Sequence, residues 1–306
     1  MSHEIIQHNR VTWINVVGAT VEDTEYLREH YGFHPLSLED CLSRIERPKI
    51  DEYDDEDYLF IVMHFPIYDH ARQVSRASEV DFFIGSGFVV TVHDGVLKPL
   101  VNFFNDCREN EDTRNRYMDR GASFLLHAII DRLVDYIFPI LYKVESRIRD
   151  IEEDIFTEDM RRIVRDLSLA RRDIIALRRI IRPQVAIVAN LEQVDRPYIR
   201  EELEDYFGDI LDHLNKVRDI IDEDYEVLAN LSDTGETLTS YRINEVMRIL
   251  TVISVIMLPL TLISGIYGMN VTLPLAGTPY AFLMIIGLMV IISGGMLVYF
   301  RYRGWL

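Results

Sequence analysis

No Asp, Glu, Lys or Arg occurs in the 52 residues between Arg248 and Arg301. A bilayer core about 30 Å thick is crossed by about 20 apolar residues in a helix. Two segments of this stretch meet that requirement, residues 249–267 and residues 280–300. A soluble helical hairpin this apolar would have to lie at the centre of a large core. The stretch therefore predicts two membrane-spanning helices near the C-terminal end.

The rest of the chain is strongly acidic. Its first 248 residues contain 30 basic and all 50 acidic side chains, a net charge of −20. Such a body does not favour nucleic acid as a partner, since that binding depends on basic charge, but it attracts cations. The N-terminal sequence MSHEIIQHNR lacks the apolar core of a signal peptide, so we expect the body to stay cytoplasmic. Cys41 and Cys107 are expected to be buried free thiols.

Arginines flank the two spans. Arg242 and Arg248 precede the first span, and Arg301 and Arg303 follow the second. By the positive-inside rule both ends are cytoplasmic, and the protein is predicted to be a multi-pass protein of the cell (inner) membrane, surrounded by lipid. The external loop is then 269–279, and the tail that follows the second span is basic.

One face of the first span is small or hydroxylated. At 100° per residue, seven residues fall within an arc of about 80°: Met247, Leu250, Ser254, Leu258, Thr261, Gly265 and Gly268. Small residues on one face favour close helix packing. The same face also suits a pore lining, in which Ser254 and Thr261 touch water while Leu250 and Leu258 form narrow dry rings. Two spans cannot enclose a pore, so the pore interpretation requires an oligomer. The opposite face, which includes Val252, is expected to contact lipid.

The acidic body divides into two parts by its pattern. Residues 1–120 read as an α/β domain; its expected strands are 11–17, 58–68 and 81–94, and its expected helices are 22–31 and 37–42. Residues 121–196 have helical spacing throughout and predict an antiparallel helix pair, with arms 122–155 and 160–191.

A single long helix is predicted to connect the body to the membrane. Pro197 suits the first position of a helix, and no other proline occurs before Pro259. Apolar residues keep helical spacing from there into the first span, so residues 197–268 are expected to form one stalk helix. Gly235 is its expected weak point. The fold class is thus an α+β domain followed by long helices and two transmembrane helices.

Enzymatic chemistry is not expected. No nucleophile–base arrangement, phosphate-binding loop or His-Glu-x-x-His spacing occurs in the sequence. No organic cofactor is implied.

Tyr267-Gly268-Met269-Asn270 closes the first span. It belongs to the first of four notable segments, which are NEVMRILTVISVIMLPLTLISGIYGMN (244–270), HPLSLEDCLSRIERPKIDEY (34–53), TWIN (12–15) and the terminal WL. Together these segments resemble the CorA family of divalent-cation channels, whose signature is Gly-Met-Asn. The resemblance covers nearly the whole chain. It implies a funnel-shaped homopentamer in which the stalk helix becomes the pore lining.

The resemblance also implies roles for individual residues. Gly268, Met269 and Asn270 would form the selectivity filter, with Asn270 as the selectivity asparagine. Two carboxylates, Asp40 and Asp209, match the pair that binds regulatory Mg²⁺ between neighbouring subunits. The positions that match the family's pore are Asn244, Met247, Leu250, Leu258 and Thr261, and Ser254 and Gly265 continue the same line.

The function implied is Mg²⁺ uptake, with Co²⁺ also carried, driven by the membrane potential and gated by cytoplasmic Mg²⁺. One departure from the family pattern concerns the ion. Many members have an acidic loop after the signature, whereas VTLPLAGTP here has no charge. Two alternatives therefore stay open: a zinc or other transition-metal transporter of the same superfamily, carrying Zn²⁺, Co²⁺ or Ni²⁺ and possibly coupled to protons, and a non-conducting membrane-anchored scaffold.

Overall fold

A computed structural model describes residues 2–43, 46–53, 57–157, 159–193, 199, 201–270 and 279–305. The chain divides into two compact units, Met1–Ser232 and Asp233–Leu306. Pro197, where the stalk helix is predicted to begin, lies outside the described residues, as does most of the predicted external loop.

The first unit contains one six-stranded sheet with the order β1-β2-β6-β5-β4-β3. Only β2 and β6 pair in parallel, and the other neighbours are antiparallel. The strands are β1 (His3–His8), β2 (Val11–Val17), β3 (Lys49–Tyr53), β4 (Tyr58–Asp69), β5 (Val74–Gly85) and β6 (Phe88–His93).

Helices cover the sheet. The helices of the first unit are α1 (Val21–Tyr31), α2 (Pro35–Asp40), α3 (Lys98–Glu109), α4 (Glu111–Met118), α5 (Ala122–Asp135), α6 (Ile137–Asp154) and α7 (Met160–Gln193). Side chains of α1 and α2, such as Leu27 and Leu38, share one apolar cluster with Val62, Phe83 and Val90 of the sheet. The long helix α7 packs against β4 and β5. The central strands are thus buried and read as continuous apolar runs.

The prediction of one strand at 81–94 is wrong, because this segment contains the end of β5, a turn and β6, which together form a hairpin. Gly85 pairs with Phe88, so Ser86 and Gly87 form a two-residue connection between β5 and β6. A Cβ at residue 85 would come within 2.6 Å of the Phe88 ring, which explains the glycine. The expected arm 122–155 is likewise two helices, α5 and α6. Pro139 lacks the N–H that would bond the carbonyl of Asp135, and the helix is interrupted between them.

The stalk is a single helix, α8 (Glu204–Tyr267), preceded by a 3₁₀ turn at Glu201–Leu203. Its 64 residues span about 96 Å at about 1.5 Å per residue. Gly235 and Pro259 both lie inside it, and the helix continues through each. Helix α9 (Ala281–Tyr302) follows.

Helices α8 and α9 are both long and apolar enough to cross a membrane. In the most apolar 18 residues of each, 6% of the residues are buried in α8 and none in α9. The core of a soluble hairpin would be mostly buried, so this exposure disfavours the soluble alternative and favours contact with lipid or other chains.

Candidate ion pathway and metal sites

The predicted pore residues lie along one exposed face of α8. Leu258 is 69% exposed, Met247 56% and Leu250 52%. The four smaller or polar members, Asn244, Ser254, Thr261 and Gly265, are also exposed. Part of this face forms an open groove of about 640 Å³ that runs from Ser254 to Met269. A single chain therefore leaves the whole stripe without a covering partner among the described residues.

The opposite face of α8 differs from the expectation. It was expected to contact lipid, yet Val252 is 2% exposed, and Ile256, Leu260 and Ile263 are half-buried. Tyr267 on this face shares an apolar cavity with Met284 and Leu288 of α9. The second span thus covers part of the surface that the sequence predicted to face lipid. This arrangement leaves the small, hydroxylated face as the more open one.

Thr261 presents an oxygen that can accept hydrogen bonds. Its hydroxyl donates to the Met257 carbonyl at 2.9 Å, within the helix. The donor is therefore used locally, and the lone pairs of Oγ1 remain on the exposed face. Acceptors of this kind suit the water shell of a cation, whose water molecules donate their hydrogens outward.

The Gly-Met-Asn segment forms the turn that ends α8. Gly268 N–H donates to the Ser264 carbonyl at 2.9 Å, and Met269 N–H donates to the Ile266 carbonyl at 3.2 Å. A Cβ at residue 268 would lie 3.0 Å from the Ser264 oxygen, so the tight turn favours glycine there. Asn270 follows directly and is exposed. The turn thus places the amide at the end of the exposed stripe.

Asp40 is the last residue of α2 and forms an ion pair. Lys49 Nζ lies 2.7 Å from Asp40 Oδ2 and 2.6 Å from Asp51 Oδ2. These two carboxylates raise the pKa of Lys49 against the opposing effect of burial. The predicted metal-binding carboxylate therefore already faces a cation of its own chain. Sequence reasoning missed Lys49, although it belongs to the quoted segment 34–53.

Asp209 is exposed in the first turns of α8 and lies near α5. Its charge acts on His127 and on Asp131. One turn further along α8, His213 Nδ1 lies 3.5 Å from Asp135 Oδ1. Asp131, Asp135 and His213 each offer a ligand atom, and these atoms all lie within 4.8 Å of one another. This cluster has the size and donor types of a divalent-metal site.

Electrostatics in this cluster favour a bound cation. Burial raises the pKa of Asp131, and the negative charges of Asp135 and Asp209 raise it further. The Nδ1 atom of His213 is buried and makes no hydrogen bond among the described residues, although Asp135 Oδ1 lies 3.5 Å away. Sequence reasoning missed the cluster, although two pairs at i, i+4 spacing, Asp131/Asp135 and Asp209/His213, could have signalled it.

Asp40 and Asp209 are not brought together within one chain. Asp40 pairs with Lys49 of β3, whereas the charge of Asp209 acts on His127 and Asp131 of α5. Cys41 and Cys107 are free and buried, as expected.

Comparison with known proteins identifies the family. A family model described as CorA-like Mg²⁺ transporter protein matches residues 8–302. The chain belongs to this family. It is accordingly a divalent metal-ion transporter and a membrane protein.

The similarity to individual relatives extends over most of this chain. The Bacillus subtilis protein YfjQ is 34% identical over 298 residues, covering 96% of this chain and 89% of that protein. The cobalt/magnesium transport protein CorA of Thermotoga maritima is 30% identical, covering 96% and 83%. The solved CorA magnesium transporter of Methanocaldococcus jannaschii has the same fold, with a TM-score of 0.85 at 23% identity, covering 98% of this chain and 93% of that one. A zinc transport protein, ZntB of Pectobacterium carotovorum, is 23% identical over 228 residues, covering 74% and 68%.

Proposed function

We propose that this CorA-family protein is a homopentameric Mg²⁺ channel of the cell inner membrane that also carries Co²⁺. Both chain ends are cytoplasmic. Residues 1–120 make up the α/β domain, 121–196 the region of helices α5, α6 and α7 in place of the expected helix pair, and 197–268 the stalk and first span. An external loop, 269–279, precedes the second span, 280–300, and a short basic tail, 301–306.

The observation that carries the proposal is the exposed stripe on α8. It runs from Asn244 to Gly265 on a helix that continues to the Gly-Met-Asn turn. Two spans per chain cannot enclose a pore, so several copies must bring this face together around an axis. Met247, Leu250 and Leu258 then form the dry constriction, and Ser254 and Thr261 line the wetted part.

The amide of Asn270 suits the ion. Mg²⁺ dehydrates reluctantly and keeps several of its water molecules. A ring of neutral amides accepts hydrogen bonds from that water without removing it, whereas a carboxylate ring would hold a divalent ion too tightly to release it. The membrane potential supplies about 4.6 kcal/mol for two charges crossing 100 mV, so no nucleotide chemistry is required.

Closing depends on cytoplasmic Mg²⁺ in this proposal. The ion binds between Asp40 of one subunit and Asp209 of the next, and it reduces the repulsion among strongly acidic bodies. Its removal lets the subunits separate and α8 move, so the constriction hydrates. This is a two-state equilibrium that the ligand biases toward the closed form.

Flux into vesicles tests the proposal. The full-length protein is reconstituted with a Mg²⁺-sensitive dye inside, and uptake is measured under an imposed potential. Asn270→Ala should abolish selective uptake, whereas Asn102→Ala, an exposed asparagine on α3, should leave it unchanged. Equal uptake and ion preference in Asn270→Ala would refute the filter. Absence of flux for every ion would favour a non-conducting scaffold.

A second candidate is zinc or other transition-metal transport. The imidazole of His213 beside Asp131 and Asp135 favours it, because imidazole suits Zn²⁺ and Co²⁺ better than Mg²⁺. The uncharged segment 271–279 and the similarity to ZntB add support. Competition settles the choice: uptake of Zn²⁺ that excess Mg²⁺ does not inhibit would favour the zinc transporter.

A further inference from the structure

A cavity of about 250 Å³ lies in the α/β domain. None of its lining residues belongs to the pore face or to the cluster of Asp131, Asp135 and His213. It is bounded by the residues that follow α2 and by strands β5 and β6. The polar residues that matter on its wall are Cys41, Glu79, Asp81 and His93.

Asp81 is the unusual group in this cavity. It is 3% exposed, and its Oδ1 atom has no hydrogen-bond donor among the described residues. A buried carboxylate oxygen without a partner is costly to a fold, so it points to a missing ligand or proton. The thiol of Cys41, which is 9% exposed, lies within hydrogen-bonding reach of Asp81. The cavity therefore contains a thiol and a carboxylate in hydrogen-bonding contact, and one oxygen of that carboxylate has no other partner among the described residues.

Glu79 and His93 on the wall already have partners. Glu79 Oε2 accepts the Glu46 N–H at 2.6 Å and lies 3.2 Å from His64 Nε2. His93 Nε2 lies 2.9 Å from Asn15 Oδ1, and its Nδ1 accepts the Gly95 N–H at 3.0 Å. These bonds fix both residues, which leaves Cys41 and Asp81 as the pair that can take a ligand.

The surroundings of the pair are negative. The carboxylates of Asp40 and Glu79 lie close enough to act electrostatically on both Cys41 and Asp81. Neither of two basic residues in this region neutralises the pair. The charge of Lys49 is taken up by its ion pairs with Asp40 and Asp51, and Arg76 on the cavity wall is exposed to solvent. A small divalent cation entering the cavity would offset this excess of negative groups.

We propose that Cys41 Sγ and Asp81 Oδ1 bind a thiophilic divalent cation of the Zn²⁺, Cd²⁺ or Co²⁺ type. Thiolate selects such ions over Mg²⁺, which prefers oxygen alone. Water completes the coordination, since the cavity has room for several molecules. The site goes beyond the proposed function, because neither the pore amides nor the regulatory carboxylates supply sulfur.

Cd²⁺ binding to the full-length protein in detergent tests the site. Thiolate bound to Cd²⁺ gives an ultraviolet charge-transfer band, which identifies sulfur ligation directly. The band should appear in the parent and in Cys107→Ser, the matched control at the other buried thiol, and should be absent from Cys41→Ser. Excess Mg²⁺ should not remove it.

Asp81→Asn provides the second test. It keeps the shape of the side chain and should weaken Cd²⁺ binding at least about tenfold. A band that persists in Cys41→Ser, a parent without a band, or unchanged affinity in Asp81→Asn would each overturn the proposal. None of these outcomes depends on ion flux, so the channel proposal is tested separately.

Discussion

Lys49 Nζ lies between two carboxylates, 2.7 Å from Asp40 and 2.6 Å from Asp51. If Asp40 binds regulatory Mg²⁺, then the ion must displace an ammonium group of the same chain. Under the proposed mechanism, the lysine would weaken the apparent affinity for the regulatory ion and raise the Mg²⁺ concentration needed to close the channel.

Lys49→Met should accordingly close the channel at a lower Mg²⁺ concentration. We expect a decrease of about fivefold, which corresponds to an ion pair worth about 1 kcal/mol. The measurement is dye-reported uptake at a series of Mg²⁺ concentrations on the cytoplasmic side. Lys143→Met, an exposed lysine on α6, is the control. Closure at an unchanged or higher concentration in Lys49→Met would contradict this role.

Asp209→Ala should have the opposite effect on closing. Loss of the carboxylate removes one of the two proposed ligands of the regulatory ion, so at least about tenfold more Mg²⁺ should be required for closure. Asp212→Ala changes a neighbouring exposed carboxylate of α8 and should close like the parent. If both variants close alike, Asp209 has no specific regulatory role.

Leu258→Ser should raise uptake in high Mg²⁺, where the parent is closed. A ring of serines is wetted more readily than a ring of leucines, and the closed constriction would then leak. Ile253→Ser alters an exposed residue on a different face of α8 and should not leak. Uptake by Leu258→Ser that stays as low as the parent's would place the dry constriction elsewhere.

Asp173→Ala should destabilise the first unit. Asp173 is fully buried, accepts the Ser75 N–H at 2.6 Å and lies 3.6 Å from Arg147 Nη1, so it connects α7 to β5 and α6. Its loss leaves partly buried Arg147 without a counter-charge, and the free energy of unfolding should fall by about 3 kcal/mol. Asp166→Ala breaks exposed ion pairs on the same helix and should cost less than about 1 kcal/mol. Thermal unfolding of the two variants gives the comparison.

Asp224 makes stability depend on pH. Burial, together with the charges of Glu145 and Glu223, raises its pKa from 3.8 to about 7. The folded state therefore holds the proton more tightly than the unfolded state does. Its stabilising effect is fully present below pH 3.8 and is lost as the pH rises to 7.

Asp224→Asn should remove this dependence. At pH 8 the variant should be more stable than the parent by up to about 4 kcal/mol per chain, and near pH 4 the two should agree. Unfolding temperatures across that range measure the difference. If the difference in stability between variant and parent does not grow as the pH rises, Asp224 ionises in the folded protein as easily as it does in the unfolded chain.

The parts of the fold that were predicted correctly are those with strong local patterns. The strands 11–17 and 58–68 are dense in β-branched and aromatic residues, and the two spans have no charge at all. The edge strands β1 and β3 were missed, because each has a neighbour on one side only and carries mostly polar residues. The split at Tyr136 was missed because the helical spacing runs on across it.

The candidate sites divide in the same way. The turn at Gly268 and Asn270 follows from neighbouring residues, so the sequence alone placed it at the end of a span. The cluster of Asp131, Asp135 and His213 joins helices about 80 residues apart in the chain, and only the packing of α8 near α5 brings them together. The Lys49–Asp40 pair also depends on tertiary contact, since it links the end of α2 to a strand.

Helix α8 has no loop between Asp209 and Tyr267 in which a displacement could be absorbed. A straight rod of its length, about 96 Å, moves its far end by about 1.7 Å for each degree that it tilts about the other end. A tilt of one degree, too small to break any hydrogen bond inside the helix, would thus displace the far end by more than half the diameter of a water molecule. In the proposed mechanism, a regulatory ion that tilts α8 by a degree or two would thus be enough to change the width of the narrowest ring.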